Sequence, residues 1–384
     1  MTRTIVVLGA NYTGIPVAHY LLKRLAPKVE GGLKVILVSP NTHFYWHNAA
    51  VRAILPGMME DEKVLLPIAP AFAKYPADQF EFIVGKAEQV NPKSRSVIVA
   101  KNDGASRTVN YDELVIATGS TFKEDMPFKL LSSTEETKKA LDTWRKRIDG
   151  AKSIVVAGAG ATGVEVAGEL GEEYAVTGKK EITVIVDKDL PFATKYLTGT
   201  REAAKKELEK LKVKVITNTK VTRVLDGCRL ELTSTDGKKQ TIKADLFMPT
   251  FGVTSNTSFL PREMLDRNGF VKQTTFLRAE GHDNIFVVGD AGNLQEPQGK
   301  TADEQVVHLA KVIEAYVLGK QLPEYKPAEG IVFGASIGRN RGTGQMGNWR
   351  LWSLMIYWFK CRYLGTEYAQ DFLNGTRSLT AKEW

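Results

Sequence analysis

One stretch, SIVVAGAGATGVEVAGEL at residues 153–170, restricts the fold more than any other part of the chain. Ile154, Val155, Val156 and Ala157 read as a buried parallel strand, and Val164, Val166, Ala167 and Leu170 continue at helical spacing. Between them Gly158, Gly160 and Gly163 stand at G-x-G-x-x-G spacing. In such a turn the first glycine lets the chain reverse tightly. The second lets a pyrophosphate reach the backbone, and the third lets helix and strand close-pack. Free N–H groups and the dipole at the helix start then favour a phosphate. A second strand, Ile182 to Val186, ends on Asp187, an acid able to accept hydrogen bonds from both hydroxyls of an adenosine ribose. This order of elements predicts a dinucleotide site from Gly158, Gly160, Ala161, Thr162, Gly163 and Asp187, against the plainer alternative of a structural glycine turn.

The unit recurs, altered, at the N-terminus. Ile5 to Leu8 reads as a strand, Gly9-Ala-Asn-Tyr-Thr-Gly14 as the turn, and Ile15 to about Leu25 as the helix. Asn11 holds the middle glycine position, and asparagine tolerates the positive φ such a turn can need. The next strand, Leu33 to Val38, ends on Ser39 rather than an acid, so a ribose hydroxyl would be bonded only singly. Short strands follow at Phe80 to Val84 and Ser96 to Val99, then Leu114 to Ala117 running into Thr118-Gly119, and Asn284 to Val288 stopping at Gly289-Asp290. Helices are expected at about Glu135 to Ile148 and at Thr301 to Leu318, the latter capped by Thr301. The fold class is therefore α/β: two Rossmann-like dinucleotide-binding domains, one inserted in the other, plus a small C-terminal region. The expected divisions are 1–120 with 245–322, then 121–244, then 323–384.

Composition narrows the function. Cys228 and Cys361 are the two cysteines and lie far apart, so neither a disulfide framework nor a zinc ribbon is indicated, and a reducing compartment is expected. His19, His43, His47, His282 and His308 show no metal-ligand spacing, so no metal site is expected. Thr2-Arg3-Thr4 runs straight into the first strand, leaving no signal or transit segment, and Thr2 excludes N-myristoylation. With no membrane-spanning run, the expected location is cytoplasmic. The net charge of +8 gives a weak pull towards anionic surfaces and no specific nucleic-acid binding.

Five motifs, in order, resemble the glutathione-reductase-type fold of two-dinucleotide flavoproteins: GANYTG at 9–14, ATG at 117–119, GAGATGVEVAGEL at 158–170, FG at 251–252 and VVGDA at 287–291. Within that superfamily, HFYWHNAAVRAI at 43–54 and GRNRGTGQMG at 338–347 are similar to the apoptosis-inducing-factor-2 group, with type II NADH dehydrogenases next nearest. The resemblance implies FAD in the outer unit, NADH or NADPH in the inserted one, and electron transfer to a quinone. For FAD it implies Gly9, Asn11, Tyr12, Thr13 and Gly14 in the turn, and Ser39, Asn48, Arg52 and Ala87 beyond it. It adds Thr118, Gly119, Gly289, Thr301 and Ala302, with Asp290 on the ribityl chain. Glu165 and Gly252 join the inner turn at the nicotinamide nucleotide. Asn11 and Ser39 depart from the usual glycine and acid, and Thr2 stands where a myristoylated chain has glycine.

Hydride transfer from nicotinamide to flavin needs a dry slot with the reacting atoms about 3–3.5 Å apart. The cofactors carry the chemistry and the protein supplies position and field. Glu165, expected on the first turn of the inner helix, is implied by the resemblance to orient the nicotinamide carboxamide; the alternative is an acid placed there by the helix dipole. The helix starting near Thr301 points its positive end at the flavin, where Lys300 either adds a full charge or is an ordinary loop lysine. Asp187 favours NADH, while Lys188 beside it leaves NADPH open. His43 and His47 fall in the flavin-pocket stretch and are read as hydrogen-bonded structural residues. Trp349, Trp352, Ile356, Phe359 and Tyr363 recur at helical steps, and no acid occurs from 330 to 366. Such a helix either lies on an anionic membrane or packs internally or at a homodimer interface. The expected acceptor is a quinone; the alternatives are oxygen or another soluble acceptor, or a redox-sensing interaction protein of low turnover.

Overall fold

The computed structural model describes residues 2–378 and residue 381. The N-terminal turn follows the third strand of a seven-stranded sheet. Its order is Ile285–Val287, Glu113–Ile116, Arg3–Leu8, Leu33–Ser39, Phe80–Asn91, Ser96–Lys101 and Ser106–Asn110. The first five strands are parallel, and the last two form an antiparallel hairpin. The period-two side-chain rule sorts its residues cleanly. Ile5, Val7, Val35 and Leu37 face one core, shared with Val306, Leu309 and Ile313 of the Gly299–Val317 helix. Val6, Leu8, Ile36 and Val38 face the other, against Val97, Val99, Leu260 and Met264.

The inner unit repeats the plan. Lys214–Ile216, Glu181–Ile185, Ser153–Ala157 and Leu246–Pro249 form a parallel four-stranded sheet. Val156 and Val184 pack with the Ala161–Leu170 helix, while Val155 and Ile185 pack with Leu230 and Leu232 of a three-stranded antiparallel sheet. The Thr134–Gly150 helix leads in, its start capped by Ser133, whose hydroxyl accepts the Glu136 N–H at 3.1 Å. Leu246–Pro249 is a full member of this inner sheet, so the division expected at 244/245 falls a strand too early. The chain leaves the outer unit through Ser120–Phe122 and returns through Val253–Ser255, and these two strands pair antiparallel.

The C-terminal region is a small antiparallel sheet of Val332–Ser336, Gly342–Met346 and Trp349–Leu351, followed by the short helix Ser353–Ile356 and a π-turn at Tyr357–Cys361. The continuous helix expected over 349–363 is therefore corrected: Trp349–Leu351 pairs with Gly344–Met346 as an edge strand, and the helix begins only at Ser353. No described helix is long and apolar enough to cross a membrane.

Candidate functional site

The two glycine turns face one cleft of about 890 Å³, within the roughly 300–1,000 Å³ typical of small-molecule and cofactor sites. Both turns depend on close backbone contact. A Cβ at Gly14 would lie 1.7 Å from the Gly9 carbonyl oxygen, and one at Gly163 would lie 1.8 Å from that of Gly158. Gly158 itself has φ of +99°, where side chains are disfavoured. The Thr250 hydroxyl locks this turn by donating to the Gly158 carbonyl at 2.7 Å. Gly160 differs, because a Cβ there would meet nothing within 4 Å. Its missing side chain leaves room on the cleft side, as a phosphate approaching the backbone requires.

At the outer turn Asn11 has no positive φ, contrary to the tolerance expected of it. Its side-chain oxygen instead accepts the Tyr45 N–H at 3.1 Å, tying the turn to the 43–45 strand. Asn11, Gly9, Tyr12, Thr13, Ser39, Asn48, Ala87, Thr118, Gly119, Asp290 and Ala302 line the cleft, as do Gly160, Ala161, Thr162 and Glu165 from the inner unit. Gly14, Gly158, Gly163 and Gly289 shape its walls by close approach without lining it. Asp187 is exposed just past the Glu181–Ile185 strand, and Gly252 sits in the crossing ribbon, its carbonyl accepting the Lys123 N–H.

Three expected assignments are corrected. Arg52 does not reach the cleft. Its guanidinium is buried and bidentate on Glu169, at 3.0 and 2.7 Å, and donates to the carbonyls of Cys361 and Arg362. Thr301 lines a separate hollow of about 220 Å³ and lies inside the helix, which starts at Gly299 with Gln298 in the capping position and no side-chain cap. Lys300 does line the cleft, but its ammonium is matched by Glu304 at 2.6 Å, one turn on, which cancels the charge expected of it.

The full cation beside Asp290 is Lys129, which no motif marked. Its ammonium contacts Asp290 Oδ2 and the Ser120 hydroxyl, and that hydroxyl donates to the same carboxylate oxygen at 2.8 Å. Burial pushes the Asp290 carboxyl up, and Lys129 pulls it further down, leaving it below the ordinary carboxylate value. His47 lines the same wall, with its ring 4.2 Å from that of Tyr12. Burial, helped by Lys129, pushes its pKa down to about 3, so it is neutral. Its Nδ1 finds no partner among the described residues. Tyr12 Oη, Thr118 Oγ1 and Ser255 Oγ, all in the cleft lining, are likewise buried without partners. Orphaned buried polar atoms are costly, and four converging on one cleft fit a polar ligand that satisfies them.

Glu165 is the fifth residue of its helix, past the first turn expected for it, so a dipole-placed acid does not describe it. It is 6% exposed. Its Oε1 accepts the Ser336 N–H at 3.1 Å and an ion pair from Lys360 at 2.6 Å. The two cysteines are both free. Cys361 is buried, donates to the Arg341 carbonyl, and has its thiol pushed up to about 12 by burial, while Cys228 lies at the far antiparallel sheet. Among the described residues no group of three His, Cys, Asp or Glu side chains is placed to hold a metal ion.

The family model described as pyridine nucleotide-disulphide oxidoreductase matches residues 3–310. Oxidoreductase ptaL of Pestalotiopsis fici is 38% identical over 357 residues, covering 92% of this chain and 94% of that protein. Ferroptosis suppressor protein 1 of Mus musculus is 28% identical over 373 residues, covering 94% and 93%. Among solved structures, the sulfide:quinone oxidoreductase of Aquifex aeolicus superposes with a TM-score of 0.79 at 18% identity, over 97% of this chain and 92% of that one. The NDH2 of Plasmodium falciparum in complex with NADH gives a TM-score of 0.75 at 13% identity, over 97% and 98%.

Proposed function

Because the chain belongs to the pyridine nucleotide-disulphide oxidoreductase family, we propose that it is a flavin-dependent oxidoreductase that draws electrons from NADH, with NADPH as a weaker donor, and delivers them to a quinone. The observation that carries this reading is the single cleft joining both glycine turns, running from Tyr12, Thr13 and Asp290 to Gly160 and Glu165. One continuous cleft lets a dinucleotide at each turn bring its reactive ring to a shared centre.

FAD bound in the outer half would supply the redox chemistry, a two-electron exchange between nicotinamide and acceptor. The chain's residues hold and orient. The backbone of residues 9–14 and the start of its helix receive the pyrophosphate. Asp290, with Ser120 and Lys129 around it, offers a carboxylate acceptor to the ribityl hydroxyls. Tyr12, His47, Thr118 and Ser255 supply partners from atoms otherwise left unpaired. At the inner turn Gly160 admits the second pyrophosphate, Asp187 receives the ribose hydroxyls, and Glu165 accepts from the carboxamide.

The acceptor side is supported by the C-terminal face. Trp349, Trp352, Leu354, Trp358 and Phe359 are exposed together, Phe359 to 78%. Arg350 and Arg362 lie among them in an acid-free run from 330 to 366, while Arg339, Arg341 and Lys360 of the same run pair with Glu173, Glu207 and Glu165 of the inner unit. Aromatic rings beside arginines suit the interface of an anionic lipid surface, from which a hydrophobic quinone is drawn. The test is an anaerobic titration. NADH should bleach the flavin band and a quinone should restore it; a protein that takes up no FAD, or a reduced flavin that ferricyanide reoxidises and quinone does not, refutes the reading.

A further inference from the structure

Lys360 belongs to the exposed aromatic turn, yet it lines the cleft. Around it the chain alternates sharply. Trp358 and Phe359 point to solvent, Cys361 is buried, and Ile356 is clamped beneath. The clamp explains the glycines of the C-terminal sheet: a Cβ at Gly342 would stand 2.4 Å from Ile356 Cγ2, and one at Gly344 would stand 2.9 Å from Ile356 Cδ1. From this seat Lys360 donates to the Gly334 carbonyl at 2.9 Å and pairs with Glu165 Oε1 at 2.6 Å. The Ser336 N–H and hydroxyl also address Oε1, at 3.1 and 3.4 Å. With Oε1 held three times over, the carboxylate plane is fixed and Oε2 is the oxygen left to meet an incoming donor.

We propose that Lys360 is a positioning residue: it orients Glu165 for the nicotinamide and ties that orientation to the aromatic turn, so that seating the turn on an anionic lipid surface improves engagement of the nucleotide. This rests on the nucleotide reading given above. The logic is one of order. Misplacing a positioning group by about 1 Å can cost on the order of a hundredfold in rate. The turn is anchored on its inner side, by Ile356, Cys361 and the Arg52 bonds to the Cys361 and Arg362 carbonyls, while its outward rings are exposed. Burying those rings in an interface therefore adds rigidity on the side that has none.

Two readouts on the FAD-loaded protein test this. The first is the Kd for NAD+, which binds without reacting, followed by fluorescence titration; the second is the anaerobic rate of flavin bleaching by NADH. Lys360→Met should weaken NAD+ binding and slow bleaching, each on the order of tenfold, with FAD content and circular dichroism unchanged. Lys360→Arg, which keeps the charge, should recover most of the loss. Vesicles containing phosphatidylglycerol should tighten NAD+ binding and speed bleaching severalfold in the wild type, and should do neither in Lys360→Met. The proposal is overturned if Lys360→Met matches the wild type, if the arginine variant is as impaired as the methionine one, or if anionic vesicles leave the wild type unchanged. Absence of bleaching in the wild type itself would instead sink the functional reading on which the proposal stands.

Discussion

Replacing Arg52 by methionine perturbs the most buried ion pair at the junction of the three regions. The pair is almost dry, with side chains 6% and 1% exposed, and Glu169 receives two of the guanidinium's hydrogen bonds. Methionine fills much of the arginine's volume, so the loss is chiefly electrostatic: one carboxylate left buried and unpaired. Breaking such a pair from one side typically costs about 3–5 kcal/mol. For a chain of 384 residues the unfolding entropy of about 2 cal/mol/K per residue makes each kcal/mol worth about 1.2 °C, so a fall of roughly 4–6 °C is expected. The pH dependence gives an independent check. Burial already holds the Glu169 carboxyl above its ordinary value against the pull of Arg52. Without Arg52 it rises further. A carboxyl whose folded pKa exceeds its unfolded one gains stability on protonation, fully present at low pH and lost as pH rises through the folded value. The deficit of Arg52→Met relative to wild type should therefore shrink between pH 7 and pH 5. Thermal unfolding followed by circular dichroism across that range measures it. The double replacement Arg52→Met with Glu169→Leu should recover most of the loss, because an apolar pair leaves no stranded charge. A single variant with the wild-type Tm, or a double variant no better than the single, refutes the reasoning.

Asp187→Ala removes the exposed acid just past the Glu181–Ile185 strand, which we propose receives the ribose, and should raise the NADPH-to-NADH ratio of kcat/KM by on the order of tenfold, read from steady-state rates with each donor. His19 is buried, its Nδ1 facing the Tyr75 hydroxyl at 2.8 Å and its Nε2 the Leu373 carbonyl at 2.9 Å, with burial pushing its pKa down to about 3. A base held neutral in the fold gives stability that is present above the unfolded pKa and lost below it. Acidification below about pH 6.5 should thus cost about 1.4 kcal/mol per pH unit from this group, and His19→Gln should flatten that part of the Tm profile. Gly163→Ala places a methyl against the Gly158 carbonyl and the Thr250 hydroxyl. It should abolish NAD+ binding while the flavin spectrum survives, as equilibrium titration and absorbance would show.

Local periodicity made most of the scaffold legible. Val155 and Val156 alternate between two cores as a strand requires, and the glycines of both turns sit where backbone meets backbone. What sequence could not reveal are contacts fixed by long-range geometry. Lys129 and Asp290 meet only because the loop after Ser120–Phe122 folds back over the end of Ile285–Val287. Lys360 meets Glu165 across almost two hundred residues for the same kind of reason. Nothing in a lone lysine within MPFKLL or WFKCRY signals a cleft. Trp349 and Trp352 carry helical spacing, yet the preceding Gly342–Met346 strand offers an edge, and tertiary pairing overrode the period. Arg52 was drawn to the cofactor by resemblance, whereas Glu169 of the inner helix claims it.

The crossing ribbon of Ser120–Phe122 and Val253–Ser255 also dictates an order of assembly during synthesis. The inner unit is contiguous, and its sheet is complete once Leu246–Pro249 has emerged. The outer sheet is not: Glu113–Ile116 waits for Ile285–Val287, and one of its cores waits for the Gly299–Val317 helix. Closing so long a loop before any reward in contacts is slow. While the chain is still being made, the outer strands Arg3–Leu8 and Leu33–Ser39 therefore hold an uncovered apolar face beside an already folded neighbour. That interval, set by the insertion, is the window in which a newly made chain is most exposed to aggregation and most dependent on chaperones.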